Sequence, residues 1–511
     1  MNRLAALAAI AACRSTHAPA PPSTPAASLT IHAALPGASA MAVSVNVAAP
    51  LERRFGQLAK LASMTSRSVR GETTIWLGFT DTALGTAARE VQQAIDAARG
   101  DLPQAMPTPP TYRKVGDDPP VLRLAMRSET LPLSDIAEYA ESAVAQTLAQ
   151  VAGVGEVAVC GSPPVWKIEI DLQSLVGFGK TIEDVLADVA AKSGSAASPD
   201  FVPTPLLRDV AASSLTDRST CGGFAEGKRA VIVTIASQSR ADRAETRKLL
   251  DAQLPAIRRA LPQGIDLRAE PDDLADDFEV VTSAAASVQL RYQIASRFAP
   301  VATLVEVGVD RRGELAPPTI ALHASADARA EIEQAAQLVP DLAVHAPGAI
   351  AIDLQGPDQA ALHDALGTLV AALRAASIPV QGTLGDDQAV ELEPIVDRDQ
   401  MTKLGITNEV AVEHALALIQ PEGIRAGAIV TPAKAIPIIV TAREPALERI
   451  YVDTTPLSAF VRLESKPEYT VVLHRGQFPV VVALVGGSRA ALDAALATIK
   501  VPDGIVRTVQ P

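Results

Sequence analysis

The sequence predicts an α+β protein of two homologous halves, each built from ferredoxin-like split βαβ units. One observation is a strand, turn and helix segment that occurs twice, once in each half of the chain. A second is the order β-α-β-β-α, which recurs along the chain and is typical of the split βαβ unit. A third is the long period of the repeat, which indicates two related halves and not a solenoid of short repeats.

The duplicated segment has the same spacing in both copies. In each copy a strand-like stretch ends at an aspartate, a turn closes at a glycine eight positions later, and a helix follows. The first helix carries a predicted capping box. The residues that define the copies are Asp171, Gly179, Thr181 and Asp184 in the first, and Asp397, Gly405 and Thr407 in the second, where Thr407 is predicted to open the helix.

The first half is predicted to hold two units. The first has strands at 29–33, 63–69 and 73–79, a helix capped by Ser39 and bent near Pro50, and a helix at 87–99. The second has strands at 121–126, 156–160 and 165–170 and a helix at 133–150 capped by Ser134.

The second half is predicted to repeat that order. Its elements are a strand at 349–354, a helix at 359–375 and a strand at 389–392.

Composition and charge exclude some classes of function. The chain has 511 residues and a formal net charge of -13, which argues against nucleic-acid binding because phosphate neutralisation needs a basic surface. No window offers the roughly 18 consecutive apolar residues of a membrane-spanning helix. The mature chain is therefore expected not to cross a bilayer.

The first 13 residues have the order of a short export signal. Arg3 precedes an apolar run at 4–12 that stops at Cys13, and the sequence IAAC at 10–13 is similar to the lipobox of bacterial lipoproteins. Cys13 is therefore a predicted lipidation site, followed by a Pro-rich tether at 14–28. A wrongly assigned start, or the remnant of a lost membrane helix, is the alternative.

The remaining cysteines, Cys160 and Cys221, are too few for a disulfide framework. Cys160 ends a strand-like stretch and is predicted to be a small buried residue.

Many short motifs resemble, in order, the porter region of resistance-nodulation-division (RND) multidrug efflux pumps. In the first half they include LPGAS at 35–39, APLER at 49–53, PPTYRKV at 109–115, VAGVG at 151–155 and LRDV at 207–210; in the second, LQGPD at 354–358, VDRD at 396–399 and LGIT at 404–407. The resemblance implies subunits for efflux of xenobiotics, a trimeric assembly, a periplasmic adaptor and outer-membrane channel as partners, and small amphiphilic substrates.

The sequence also departs from that family. The stretch 277–309 runs directly from the first half into the second, without the membrane bundle that carries the proton relay, and the docking insertions are short. The predicted divisions are a signal and tether at 1–28, a first porter subdomain at 29–115, a second with a reduced docking insertion at 116–285, the degenerate start of a third at 286–347, and a later one with a reduced docking insertion at 348–511.

A ligand-binding cleft is predicted from the resemblance. In the family, substrates pass between porter subdomains, and Val121, Arg123, Cys160 and Trp166 fall on strands that would face such a cleft. The alternative is that all four are ordinary sheet residues packed under helices.

The sequence contains few features that would support an enzyme or a metal-binding protein. Residues 222–228 have the spacing of a phosphate loop, but Arg229 replaces the Ser or Thr that holds Mg²⁺ and a strand follows, so a hairpin turn is expected. The histidines show no ligand spacing. The prediction is therefore a non-enzyme without cofactor or metal.

The predicted function is a periplasmic, substrate-binding or scaffold part of an RND efflux assembly, lipid-anchored to the envelope or associated with the inner membrane. A free-standing periplasmic ligand-binding lipoprotein is the alternative, and a decayed gene product without a role is a third hypothesis.

Overall fold

The computed structural model describes residues 27–104, 106–115, 120–161, 164–193, 203–217, 221–238, 241–270, 276–281, 288–309, 319–324, 326–337, 343–345, 350–420, 423–430 and 435–510. The predicted signal, tether and lipidation site, Cys13 included, lie outside these residues apart from the last two positions of the tether.

The first half contains eleven described strands and nine described α-helices. The strands are β1 (Ala27–Ala34), β2 (Leu61–Val69), β3 (Glu72–Phe79), β4 (Thr111–Val115), β5 (Leu122–Ser128), β6 (Val154–Cys160), β7 (Pro164–Ile170), β8 (Ala211–Asp217), β9 (Gly222–Ala225), β10 (Lys228–Ser237) and β11 (Ile265–Ala269). The helices are α1 (Ala40–Val43), α2 (Ala49–Phe55), α3 (Leu84–Ala98), α4 (Leu133–Tyr139), α5 (Gln146–Leu148), α6 (Leu172–Gly177), α7 (Ile182–Lys192), α8 (Pro205–Val210) and α9 (Arg243–Ala260).

The second half contains fifteen described strands and six described α-helices. The strands are β12 (Asp276–Val281), β13 (Leu304–Val309), β14 (Thr319–Ala324), β15 (Ala343–His345), β16 (Ile350–Gln355), β17 (Val380–Leu384), β18 (Gln388–Val396), β19 (Ile424–Val430), β20 (Ala435–Ala442), β21 (Tyr451–Val452), β22 (Thr455–Pro456), β23 (Val461–Tyr469), β24 (Val471–Arg475), β25 (Phe478–Val485) and β26 (Val506–Val509). The helices are α10 (Val288–Phe298), α11 (Arg329–Gln337), α12 (Gln359–Ala375), α13 (Arg398–Lys403), α14 (Glu409–Ala417) and α15 (Arg489–Leu496).

Four units share one strand order. The first unit pairs its strands as β2-β3-β1-β4, the second as β6-β10-β5-β11, the third as β13-β14-β12-β15 and the fourth as β17-β25-β16-β26. In each, the first and third strands in sequence are central and the second and fourth are outside, which is the ferredoxin-like arrangement. The predicted α+β class is therefore confirmed.

Helices cover one face of each sheet because apolar side chains alternate along the strands. In the first unit Ile75 and Leu77 of β3 pack against Val91 and Ile95 of α3, and all four side chains are almost fully buried. In the fourth unit Ile352 of β16 packs in the same way with Leu366 of α12.

Strands also join the units across the two halves. β24 pairs with β25 of its own unit and with β2 of the first unit, while β9 pairs with β10 of its own unit and with β13 of the third. A Cβ on Gly223 would overlap the carbonyl oxygen of Val305, so only glycine allows β9 to approach β13 this closely. The first unit is thus joined to the fourth, and the second to the third.

The two insertions form one further body, here called the insertion unit. It combines residues 164–217 of the first half with 397–461 of the second. β20 pairs in parallel with β7, giving a four-stranded sheet in the order β19-β20-β7-β8. Ile168, Val185, Ile438 and Val412 lie in the same core. Each half therefore supplies part of a core that neither completes alone.

The duplicated segment has the predicted glycine turn and following helix in both copies, but a short helix lies where only a turn was predicted. Asp171 and Asp397 each cap a short helix, and Gly179 and Gly405 adopt φ values of 61° and 73°, which favour glycine. The Thr181 and Asp184 capping box is present. In the second copy Asn408, and not Thr407, caps α14, since its side chain accepts from the Ala411 N–H.

Two other local predictions are confirmed. Ser39 caps its helix, and the bend before Pro50 is a π-helical turn at Ser44–Ala48, which suits a position where proline supplies no N–H. Residues 222–228 form the expected hairpin, with Glu226 and Gly227 at positive φ between β9 and β10.

Three local predictions differ from the structure. Ser134 lies inside α4, whose N-cap is Pro132, because proline is already extended before the helix. Residues 389–392 belong to β18, which pairs only with β23 among the described residues, and β17 is the second strand of the fourth unit. The third unit has four strands and two helices beginning at Asp276, before the predicted division at 285/286, where the sequence indicated only a degenerate start.

Among the residues that the structure describes, no helix has both the length and the apolar character needed to cross a membrane.

Candidate functional site at the junctions between units

Where β24 meets the first unit, four polar side chains are buried together. Glu52 accepts hydrogen bonds from Ser66 Oγ at 2.5 Å and from His474 Nδ1 at 2.8 Å, and His474 Nε2 lies 3.1 Å from Ser44 Oγ. All four residues are at most 6% exposed. Because a carboxylate only accepts, His474 Nδ1 carries a proton and donates to Glu52, while Nε2 is the ring atom paired with Ser44 Oγ.

The connectivity of Ser44, His474 and Glu52 is that of a catalytic triad. A triad nucleophile must reach a substrate, however, and Ser44 is only 2% exposed. None of these three residues lines either of the two surface grooves described below. The arrangement therefore serves to hold two units together through satisfied hydrogen bonds.

The junction of the second and third units has a larger charged network. Glu306 of β13 accepts from His323 Nε2 at 2.9 Å and from Thr234 Oγ1 at 3.2 Å, and Arg123 Nε lies 3.3 Å from it. Arg123 also binds Glu270 at 3.1 Å, and His323 Nδ1 lies 3.7 Å from Glu270. Residues of β5, β10, β13 and β14 thus converge on one buried carboxylate.

The network sets the protonation of that carboxylate. Burial acts to raise the pKa of Glu306, but the hydrogen bond and charge of His323, with the charge of Arg123, outweigh it and leave the pKa below its ordinary value of 4.5. For Asp353 of the fourth unit the pKa moves in the opposite direction. Burial raises its pKa, and the partly exposed Arg475 with Gln510 does not offset the effect.

Cys160 and Cys221 form a disulfide, with their Cα atoms 5.3 Å apart. The prediction that Cys160 is simply a small buried residue is wrong: it is half-buried and bonded. The two residues lie 61 positions apart, at the end of β6 and just before β9, so the bond closes the base of the first insertion. Sequence spacing alone gave no signal, because only the fold brings these strand ends together.

The four residues predicted to face a ligand cleft do not gather at one. Val121 packs in the helix-side core of the second unit. Arg123 and Cys160 lie on the opposite face of that sheet, where the third unit covers it. Trp166 of β7 is half-buried against the core of the insertion unit.

The sequence reasoning missed the acidic and histidine members of both junctions. Glu306 and His323 each lie between two apolar residues of a strand, and His474 follows three apolar residues of β24. A lone ionisable residue in such a strand indicates a buried partner elsewhere in the fold, because burial without one is costly. That signal was available, although the identity of the partner was not.

Two grooves lie away from the junctions. One, of about 680 Å³, runs between α5 and α9 and is lined by Gln146, Gln150 and Gln253 among others. The second, of about 620 Å³, lies at the start of α13 beside Arg398, Phe460 and Arg462. Val121, Arg123, Cys160 and Trp166 line neither groove.

Comparison with known proteins finds similarity to one family model and to several multidrug resistance proteins. Residues 6–198 match the model of the AcrB/AcrD/AcrF family. Multidrug resistance protein MdtC of Cronobacter sakazakii is 33% identical over 279 residues, covering 48% of this chain and 27% of the relative. MdtC proteins from two strains of Klebsiella pneumoniae are 33% identical over 278 residues, with the same coverage.

These matches support the predicted resemblance to the RND multidrug efflux family over part of the chain. The chain spans about a quarter of the length of the curated relatives it matches, 27% in each case.

Replacing Glu306 with Gln should destabilise the protein by about 3–5 kcal/mol, because Arg123 and His323 lose a buried anionic partner. Urea unfolding at neutral pH measures this. Glu129→Gln is the matched control, since its ion pair with Lys228 is exposed and its loss should leave the unfolding midpoint unchanged.

The Glu306 effect should also depend on pH. A carboxylate whose pKa is lowered by folding stabilises the fold above its ordinary pKa, and this contribution disappears as the pH falls through the lower, folded pKa. The difference between wild type and Glu306→Gln should thus be full at neutral pH and shrink below about pH 4. A difference that grows on acidification would contradict the assigned network.

Reduction of the Cys160–Cys221 disulfide should lower the free energy of unfolding by about 3–4 kcal/mol, because the bond closes a long loop in the unfolded chain. Urea unfolding with and without dithiothreitol measures this loss. A Cys160→Ser, Cys221→Ser double variant is the control and should be insensitive to reductant. Equal stability of the reduced and oxidised wild type would contradict the bond.

Proposed function

We propose that this chain forms the periplasmic porter part of an RND-type efflux assembly and acts there by binding or positioning substrates. The observation that carries the proposal is the crosswise joining of four ferredoxin-like units through β24 and β9, together with an insertion unit shared by both halves. Similarity to multidrug resistance proteins supports a xenobiotic substrate class. In this proposal, complete RND subunits supply the coupling to protons.

Small amphiphilic substrates would bind between the joined pairs of units. Arg123 and Cys160 would contact such a ligand only if the second and third units separate, since the third unit covers their face of the sheet. Val121 would require movement of the helices on the other face. Trp166 is the one aromatic side chain among the four, and its partial exposure makes it the most direct candidate contact.

The proposed location is the periplasm, with Cys13 as a lipid anchor and association with the inner membrane. The Cys160–Cys221 bond supports this location, because disulfides persist in oxidising compartments such as the bacterial periplasm. Proposed partners are further copies in a homotrimer or complete RND subunits, a periplasmic adaptor and an outer-membrane channel. No catalytic role is proposed for Ser44, His474 and Glu52, because all three are buried.

A free-standing ligand-binding lipoprotein is the second candidate, favoured by the lipobox-like sequence at 10–13. It shares the proposed anchor and location but requires neither a trimer nor partner proteins. Oligomeric state and recovery of partners therefore distinguish the two candidates.

The porter proposal predicts a trimer for the full chain in size-exclusion chromatography with light scattering. It also predicts recovery of an adaptor or outer-membrane channel from the native envelope after mild cross-linking. A Glu306→Gln, Arg123→Gln double variant alters the second junction and should reduce that recovery, whereas Glu129→Gln, at an exposed ion pair, is the matched control and should leave it unchanged. A monomer that recovers neither partner would reject the porter role in favour of the free-standing binding protein.

A further inference from the structure

β18 and β23 form a two-stranded ribbon whose middle is exposed on both faces, while its Val396–Val461 end packs against the core of the insertion unit. The strands pair over nine positions, from Gln388 with Tyr469 to Val396 with Val461. Along β23 the six residues 462–467 are all exposed. A two-stranded ribbon without a covered face is only marginally stable in water, so this length of exposed pairing is unusual.

One face of the ribbon is apolar. Val390 is 73% exposed and Leu392 is 56% exposed, and because side chains alternate they point to the same side as Pro394. Across the ribbon, Pro394 pairs with Leu463, which is 37% exposed. Lys466 is on the other side and binds Glu393 and Glu468. Apolar side chains gathered on one side of a free ribbon are typical of an interaction surface.

The internal repeat indicates what covers such a strand. Asp171 follows β7 as Asp397 follows β18, and both cap the next helix, so the two strands occupy equivalent positions. β7 has β8 on one edge and β20 on the other. Among the described residues, β18 has β23 on one edge and no strand on the other.

β20, the strand that covers β7, shows which side chains a covering strand needs. Ile438 and Val440 of β20 are fully buried and lie beside Trp166 and Ile168 of β7. The matching segment of the first half, residues 193–204, is too short for a hairpin like that of β19 and β20, whose strands alone span 7 and 8 residues. Within the part of the chain that the structure describes, β18 therefore lacks the cover that its counterpart β7 receives from β20.

We propose that the open edge of β18 is a docking site for an extended strand, rich in β-branched apolar side chains, donated by another protein. The strand would pair with residues 388–393, since Pro394 supplies no N–H, and would cover Val390 and Leu392. The inference rests on the internal repeat and does not require the efflux role.

Hydrogen exchange of the full chain with a peptide probe tests the proposal. The probe is a synthetic peptide with the sequence of Ala435–Ala442, extended by two lysines for solubility. Saturating peptide should slow backbone exchange at 388–393 by about tenfold or more, because the edge amides become hydrogen-bonded. Exchange at β26, another edge strand with an exposed apolar residue, Val506, should not change.

Substitutions separate specific docking from general stickiness. Leu392→Lys should weaken the peptide about tenfold, since a charge replaces apolar contact area at an exposed position where folding is unaffected. Val506→Lys is the matched control and should leave binding unchanged.

Three results would overturn the proposal. The first is no protection at 388–393, or equal protection at β26. The second is protection of 388–393 in the free monomer, which would show that the chain covers its own edge. The third is a dimer or trimer in light scattering that Leu392→Lys dissociates, which would make another copy of this chain the occupant.

Discussion

The fold depends on backbone pairing between strands that belong to opposite halves of the chain. β24 of the fourth unit also pairs with β2 of the first, and β9 of the second unit also pairs with β13 of the third. In the insertion unit, β20 from the second half pairs with β7 from the first. Each of these strands would otherwise be an open edge with unsatisfied backbone groups. The two halves are therefore interlocked, and a substitution in one of these strands affects the packing of two units.

Buried polar groups then determine how firmly each junction is held. At the first junction a single carboxylate, Glu52, satisfies His474 and Ser66. At the second, Arg123, Glu270, Glu306 and His323 balance charge in a larger network. Separating the second and third units would expose or unpair these groups, whereas the first junction carries fewer charges. Opening a ligand cleft at a junction requires the free energy of unpairing these buried groups. We therefore expect the second junction to open less readily than the first.

Part of this architecture was predictable from local sequence. The turns that close at Gly179 and Gly405, the capping box at Thr181 and the hairpin at 222–228 follow from short-range turn and cap chemistry. The third unit was harder to predict, since none of its strands exceeds six residues and the last, Ala343–His345, has three. The role of β18 was misassigned for a different reason, because strand propensity indicates a strand but not the partner of that strand.

The candidate site was harder to predict than the fold. Arg123 was identified as a notable residue on a sheet face, but its burial against Glu306 depends on β9 bringing the third unit across that face. Cys160 and Cys221 meet for the same reason. Contacts between residues far apart in the sequence depend on how the units pair. The hydrophobic periodicity within one unit does not indicate that pairing.

The pairing of β2 with β24 is tested most directly by a double cysteine variant at Val69 and Val471, which lie opposite each other in the register. The account predicts that peptide mapping after purification finds a disulfide between the two positions. A variant at Val69 and Val506 is the control, since β26 lies at the far edge of the sheet and should form no bond with β2. Absence of the Val69–Val471 bond in the folded protein, or equal bonding in the control, would contradict the interlocked halves.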